Sequence, residues 1–128
     1  MSSISVVIPV YNEAKSLHSF LVYLQKMNSN NILEFLVVDG GSTDGSQEIV
    51  SAFSKKHLKF KKIDSPKGRA IQMNIGAAKS IGCILYFLHA DSLPPENFDK
   101  HLIEAVGNGS KSGCFRMKFD SPHWVLKI

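Results

Sequence analysis

The chain has 128 residues, 44% of them hydrophobic and 20% charged, with 9 Gly and 5 Pro. That composition fits one globular domain over residues 1–128 and excludes a disordered, collagen-like or low-complexity chain. The net charge is +4 and the pI about 9.1. No apolar run approaches the roughly 20 residues needed to span a bilayer, and the opening MSSISVVIPVYNE lacks a basic leader segment.

Two periodicities alternate along the chain. Ile4 to Val10 is a short β-rich run. Leu17, Phe20, Leu21, Leu24 and Met27 then recur at helical spacing, with Asn12 or Glu13 near the helix start. Leu33 to Val38 is a second strand ending at Asp39-Gly40-Gly41-Ser42. The second helix has Asp44 as its expected N-cap and Ile49, Val50 and Phe53 on its apolar face. Lys59 to Ile63 alternates and reads as an edge strand whose lysines protect an exposed edge.

Seven of the 15 basic residues fall between Lys55 and Arg69. Such a segment either attracts phosphates or forms a solvated face. With Phe60 as the one aromatic between Lys55 and Lys62, it does not read as a nucleic-acid surface.

Gly68 to Ile81 is a third helix, with Ile71, Ile75 and Ala78 on one face. The nearly all-apolar run from Cys83 to Leu88 has the character of a central parallel strand. Cys83 reads as a small buried hydrophobe. Without a C-x-x-C pair, Cys83 and Cys114 point to a reducing, cytoplasmic setting and no disulfide. Pro95 occupies a first-turn position before a fourth helix marked by Phe98, Leu102 and Val106, stopped by Gly107 and Gly109. Cys114 to Phe119 is a fifth strand. The final Asp-Ser-Pro-His-Trp-Val-Leu-Lys-Ile carries an apolar cluster, Trp124-Val125-Leu126, that reads as an element cut short or one that packs on a partner or a second copy.

Strand–helix alternation of this length implies an α/β fold with a mainly parallel sheet and helices on both faces. In such a sheet all strands end on one edge, and ligands bind in the crevice there. The residues just past the strand ends are Tyr11, Asn12 and Glu13, then Asp39 to Ser42, then Asp64, Ser65 and, further on, Gly68 and Arg69, then His89 to Asp91. Each group also has a plain local explanation as a turn, a cap or a helix start. Taken together they describe a nucleoside-diphosphate site. Asp39 can accept hydrogen bonds from a base or ribose. Arg69 at a helix start offers its guanidinium and free backbone N–H groups to phosphate. Asp91 can hold a divalent cation shared with phosphate oxygens. The chain has neither G-x-G-x-x-G after the first strand nor G-x-x-x-x-G-K-[ST] anywhere, which argues against dinucleotide oxidoreductases and P-loop enzymes.

The same residues carry a resemblance. Val6 to Glu13, Val37 to Ser46, Gly68-Arg69-Ala70 with Asn74 to Ala78, and Leu85 to Asp91 resemble, in order, the successive motifs of family 2 glycosyltransferases. Gly68 to Asn74 and Phe87 to Asp91 are most similar to the subgroup associated with radical-SAM/selenodomain proteins. The resemblance covers roughly residues 4–106. It implies a Rossmann-like GT-A fold, a nucleotide-sugar donor and inverting transfer to an acceptor hydroxyl, here as the N-terminal, donor-binding part of that fold. By position, Pro9, Tyr11 and Glu13 match the family's first-strand nucleotide loop, Asp39 the acid that recognises the base, and Arg69 a basic residue near the nucleotide. Asp91 matches the last acid of the D-x-D metal motif. His89 stands at that motif's first acid, where it can ligate Mn²⁺ or hydrogen-bond a phosphate or ribose, but the implied Mn²⁺ or Mg²⁺ has one hard oxygen ligand fewer. The family's catalytic base follows the D-x-D motif, and no block after Asp91 matches it. Glu96, Asp99 and Glu104 fit an exposed helix, and Asp120 ends a strand. No catalytic residue or acceptor is assigned. The alternatives are a non-catalytic nucleotide-binding or protein-association module with the same fold, and a nucleotidyltransferase.

Overall fold

In the computed structural model the described residues are 3–107, 115–117 and 124–127, with side chains described as far as residue 106. The elements in chain order are β1 (Ile4–Val10), α1 (Ala14–Lys26), β2 (Ile32–Asp39), α2 (Ser46–Lys56), β3 (Phe60–Asp64), α3 (Arg69–Lys79), β4 (Ile84–Phe87), α4 (Phe98–Gly107), β5 (Phe115–Met117) and β6 (Trp124–Lys127). Among the described residues these strands form one sheet in the order β3-β2-β1-β4-β6-β5. All neighbours are parallel except β5 and β6. The tail at Trp124–Lys127, read from the sequence as an element cut short or one that packs on a partner, pairs its backbone with β4.

Alternation along β1 builds two apolar layers, because successive side chains of a strand point to opposite faces. Ile4, Val6, Ile8 and Val10 face the layer filled by Leu17, Phe20, Leu21 and Leu24 of α1, Val50 and Phe53 of α2, and Phe98 and Leu102 of α4. Val7 faces the other layer, with Leu36, Val38, Leu85, Phe87 and Ala77 of α3. Strands sandwiched this way need apolar residues on both sides, which is why β2 and β4 are nearly continuous apolar runs. β3 lies at the sheet edge, as its lysines predict.

Five local expectations are corrected. Cys83 is exposed, because it precedes β4 at the open end of the sheet. The buried face of α3 is Gln72, Gly76 and Ala77, whereas Ile71 and Ala78 point to solvent. Small residues let this helix lie close against β1, so its face is set by size and not by hydrophobicity. The N-cap of α2 is Gly45, and Asp44 sits one residue earlier. Pro95 lies in the turn before α4, which starts at Phe98. Asp99 is buried, with its carboxylate accepting from Ser29 Oγ at 2.6 Å and Asn31 Nδ2 at 3.0 Å. Gly109, Cys114 and Asp120 lie outside the described residues.

Candidate nucleotide-diphosphate site

The chain leaves β1 through α1 to β2 on one side, and the crossover α3 later brings β4 to β1's other side. The strand order therefore reverses at β1 and β4, the place where a parallel sheet opens a crevice. A cleft of about 230 Å³ lies there, lined by Pro9, Val10, Tyr11, Glu13, Lys67, Gly68, Arg69, Gln72, His89, Ala90 and Asp91. Three segments build it: the end of β1, the start of α3 and the loop after β4.

Pro9 is tolerated in a central strand for a local reason. The last bond between β1 and β4 runs from Leu88 N to Val7 O, at 2.9 Å. Backbone groups two residues on face the same side, and β4 has ended by then. The missing N–H of Pro9 thus costs no ladder bond, and the strands part to form the cleft mouth. Tyr11 follows, with Lys67 Nζ 4.4 Å from its ring centroid, a cation–π contact.

The β1–α1 loop is clamped to the β2–α2 loop. Asn12, at φ 50, donates its N–H to Ser42 Oγ and accepts from Thr43 N at Oδ1, both at 2.8 Å. Glu13 N donates to Ser46 Oγ, and Ala14 N donates to Asp44 Oδ2. Asp44 also accepts from Ser46 N and Oγ. The hydroxyl bond from Ser46 leads the causes that hold its carboxyl below the usual value.

Asp39 is placed differently from the other sequence-predicted residues. It ends β2 beside Val10, on the same rim as the cleft, but is not part of the lining. Its side chain is 1% exposed and turned into its own loop. Oδ2 accepts from Gly41 N and Ser42 N, each at 2.9 Å, and Oδ1 accepts from Ser42 Oγ at 2.6 Å.

Arg69 opens α3. Gln72 N makes the first helical bond, to Gly68 O at 2.8 Å. The N–H groups of Arg69, Ala70 and Ile71 are thereby left without a helical acceptor. His89 lines the facing wall, and its Nδ1 is buried without a hydrogen-bond partner. Burial, and then the nearby Arg69 cation, push its pKa below 6.5, with Asp91 opposing. The ring is therefore neutral at pH 7 and able to accept a bond or bind a metal. Asp91 is exposed, its nearest partner Ser92 Oγ at 3.5 Å.

Pro9, Tyr11, Glu13, Arg69, His89 and Asp91 thus meet in one cleft. The sequence reading missed Lys67 and Gln72. Lys67 was legible as the basic residue immediately before Gly68. Gln72 was legible only as a lone amide on an otherwise small and apolar helix face. Of the basic cluster, Lys59 is spent on Asn28 Oδ1 and the carbonyls of Ser29 and Ile32, Lys61 on Glu34 and Lys62 on Asp64. Lys67 and Arg69 are its members in the cleft lining.

The sequence model described as Glycosyl transferase family 2 matches residues 5–124. The chain belongs to the glycosyl transferase family 2. Glycosyltransferase AglE of Haloferax volcanii is 37% identical over 98 residues, covering 74% of this chain and 32% of AglE. The chain spans about a third of the length of the curated relatives it matches. Among solved structures, TarS 1-349 from S. aureus superposes with a TM-score of 0.71 at 23% identity, over 83% of this chain and 32% of that one. Mannosyltransferase PcManGT from Pyrobaculum calidifontis, solved with GDP-Man and Mn²⁺, gives 0.70 at 24% identity, over 88% and 33%. The fold is therefore that of the GT-A glycosyltransferases. Among the described residues no helix is long and apolar enough to cross a membrane.

Proposed function

We propose that the cleft binds the nucleoside diphosphate of a nucleotide-sugar donor, and that the protein transfers the sugar to an acceptor hydroxyl with inversion. The convergence of the β1 end, the α3 N-terminus and the β4 loop on one crevice carries this reading. The diphosphate sits at the start of α3, where unpaired N–H groups and the helix dipole favour an anion and Arg69 and Lys67 add positive charge. The Tyr11 ring offers its face to the base once Lys67 swings to a phosphate. Pro9 and Glu13 shape that wall, and His89 contacts phosphate or ribose. Asp39 holds the Gly40–Ser42 loop that closes the rim and contacts the base only if that loop opens. Two proteins of the same fold support this chemistry, PcManGT in its complex with GDP-Man and Mn²⁺ and TarS 1-349 in its complex with UDP.

The residues fit the family's divalent cation. One exposed carboxylate, Asp91, stands two positions from an imidazole whose Nδ1 has no partner. Mg²⁺ is commonly bound through one or two carboxylates, with phosphate oxygens and water filling the rest, and carboxylate oxygens likewise suit Mn²⁺. Asp91 and His89 would hold such a cation, which when bound would supply neutralising charge to a departing diphosphate. Among the described acids after Asp91, Glu96, Asp99 and Glu104 are all absent from the cleft lining, so the base for the acceptor hydroxyl is not assigned to them.

Thermal denaturation tests the reading. UDP or GDP with Mn²⁺ raises the melting temperature, and Arg69→Ala or Asp91→Ala abolishes the rise while leaving the ligand-free transition in place. A folded protein whose transition is unmoved by any nucleoside diphosphate, at up to about 1 mM, refutes donor binding.

A further inference from the structure

We propose that Gln72 is the positioning residue of this cleft, the group that ties the phosphate-binding end of α3 to the ends of β1 and β2. The inference rests on the donor-binding reading above for its effect on ligand, but not for its geometry. Gln72 is 3% exposed. Its Nε2 donates to Val10 O and to Val38 O, both at 2.9 Å, and its Oε1 accepts from Gly68 N at 3.2 Å. Both amide hydrogens are therefore committed to strand carbonyls, and the amide oxygen holds the residue before the helix.

Gly68 is fixed from both sides by this one residue. Its N–H goes to the Gln72 side chain and its carbonyl takes the Gln72 N–H. The arrangement acts like a capping box shifted by one position. Gly68 sits at φ 144, a conformation that favours glycine. With its backbone so fixed, the direction of Arg69 and of the unpaired N–H groups behind it is set by the Gln72 amide. On the strand side, Val10 O also accepts from Gly40 N, so the same amide braces the β1 end that leads to Tyr11 and Glu13. Gln72 thus connects two of the three segments that form the cleft.

Gly40 belongs to the same device. A Cβ there would lie 2.8 Å from Gln72 Oε1 and 2.9 Å from its Cδ. Gly40 leaves room for the amide, and a methyl group there displaces it.

The test uses the 128-residue chain, with UDP and GDP as probes by calorimetry and Gly68 amide exchange by NMR. Gln72→Met keeps the bulk and loses the hydrogen bonds. It is expected to speed Gly68 exchange and to weaken nucleotide binding about tenfold, measured well below the melting temperature. Gly40→Ala is expected to do the same in the parent chain and to add little in Gln72→Ala, where the obstructing amide is gone. A merely structural residue lowers the melting temperature without changing the affinity of the folded molecules. Unchanged Gly68 exchange in Gln72→Met, or additive losses of affinity for Gly40→Ala and Gln72→Ala, overturns the proposal. If the parent chain binds neither probe, donor binding fails alone, and the exchange measurement still decides the role of Gln72. Should the Gln72 variants not fold, Gly40→Ala applies the same displacement with the amide retained.

Discussion

At the scale of single residues, the cleft is organised by which polar atoms are already spent. Asp39 has both carboxylate oxygens occupied within its own loop, whereas His89 Nδ1 has no partner. The motif spelling of each is equally clear in the sequence, but only the geometry tells the loop former from the residue left open to a ligand. His89 also predicts a pH dependence. Its pKa is lowered on folding, mainly by burial and then by Arg69. Below the unfolded value of 6.5 the unfolded chain holds more of this proton than the folded one. Stability from this group is therefore full above that pH and falls as the pH drops through the folded pKa. Between about pH 7.5 and 5.5, the parent is expected to lose more stability than His89→Gln, read as melting temperature. The other histidines contribute to both proteins and cancel in the difference. A bound diphosphate beside the ring opposes the shift and flattens the profile.

At the scale of elements, α3 shows why the periodicity reading chose the wrong face. Ile71, Ile75 and Ala78 form the more apolar stripe, yet of these only the half-buried Ile75 packs against the core, and the helix turns Gln72, Gly76 and Ala77 inward. The reason is the distance of approach. A Cβ on Gly76 would stand 2.4 Å from Val7 Cγ1 and 3.0 Å from Val38 Cγ2. The backbone of α3 rests on the sheet at that point, and a larger residue lifts the helix. Gly76→Ala is expected to cost about 1–3 kcal/mol in urea denaturation, and adding Val7→Ala should recover part of it because the two share one space. Since Arg69 rides on the same helix, nucleotide affinity falls with Gly76→Ala as well. A neutral Gly76→Ala with unchanged affinity would show that α3 is not held by this contact.

At the scale of the whole molecule, the two ends of the sheet do different work. The carboxyl end holds the cleft. The opposite end, ~20 Å away along β1, is locked by a buried carboxylate. Glu34 Oε2 accepts from Ser5 Oγ at 2.7 Å and Ile81 N at 2.8 Å, and Oε1 accepts from Lys61 Nζ at 3.0 Å. Ser5 Oγ in turn accepts from Gly82 N at 2.8 Å. Strands β1, β2 and β3 and the entry to β4 are thus joined through one acid. Glu34→Ala leaves buried donors unpaired and is expected to cost about 2–4 kcal/mol. Nucleotide affinity of the folded variant should stay within about twofold of the parent, since sites this far apart act independently. A parallel loss of affinity would show that the two ends are coupled.

The order of elements, the edge position of β3 and the gathering of loops on one rim followed from the sequence alone. Hydrophobic periodicity and turn residues act locally, and a parallel sheet puts all strand ends on one side. Which acid turns inward, which face of α3 meets the sheet and where the buried Gln72 amide spends its hydrogens were decided by tertiary structure. Those outcomes depend on how closely backbones from distant parts of the chain approach. Gln72, 62 residues from Val10 and 34 from Val38, is polar in sequence and central in space because two strand carbonyls and a glycine N–H come within its reach.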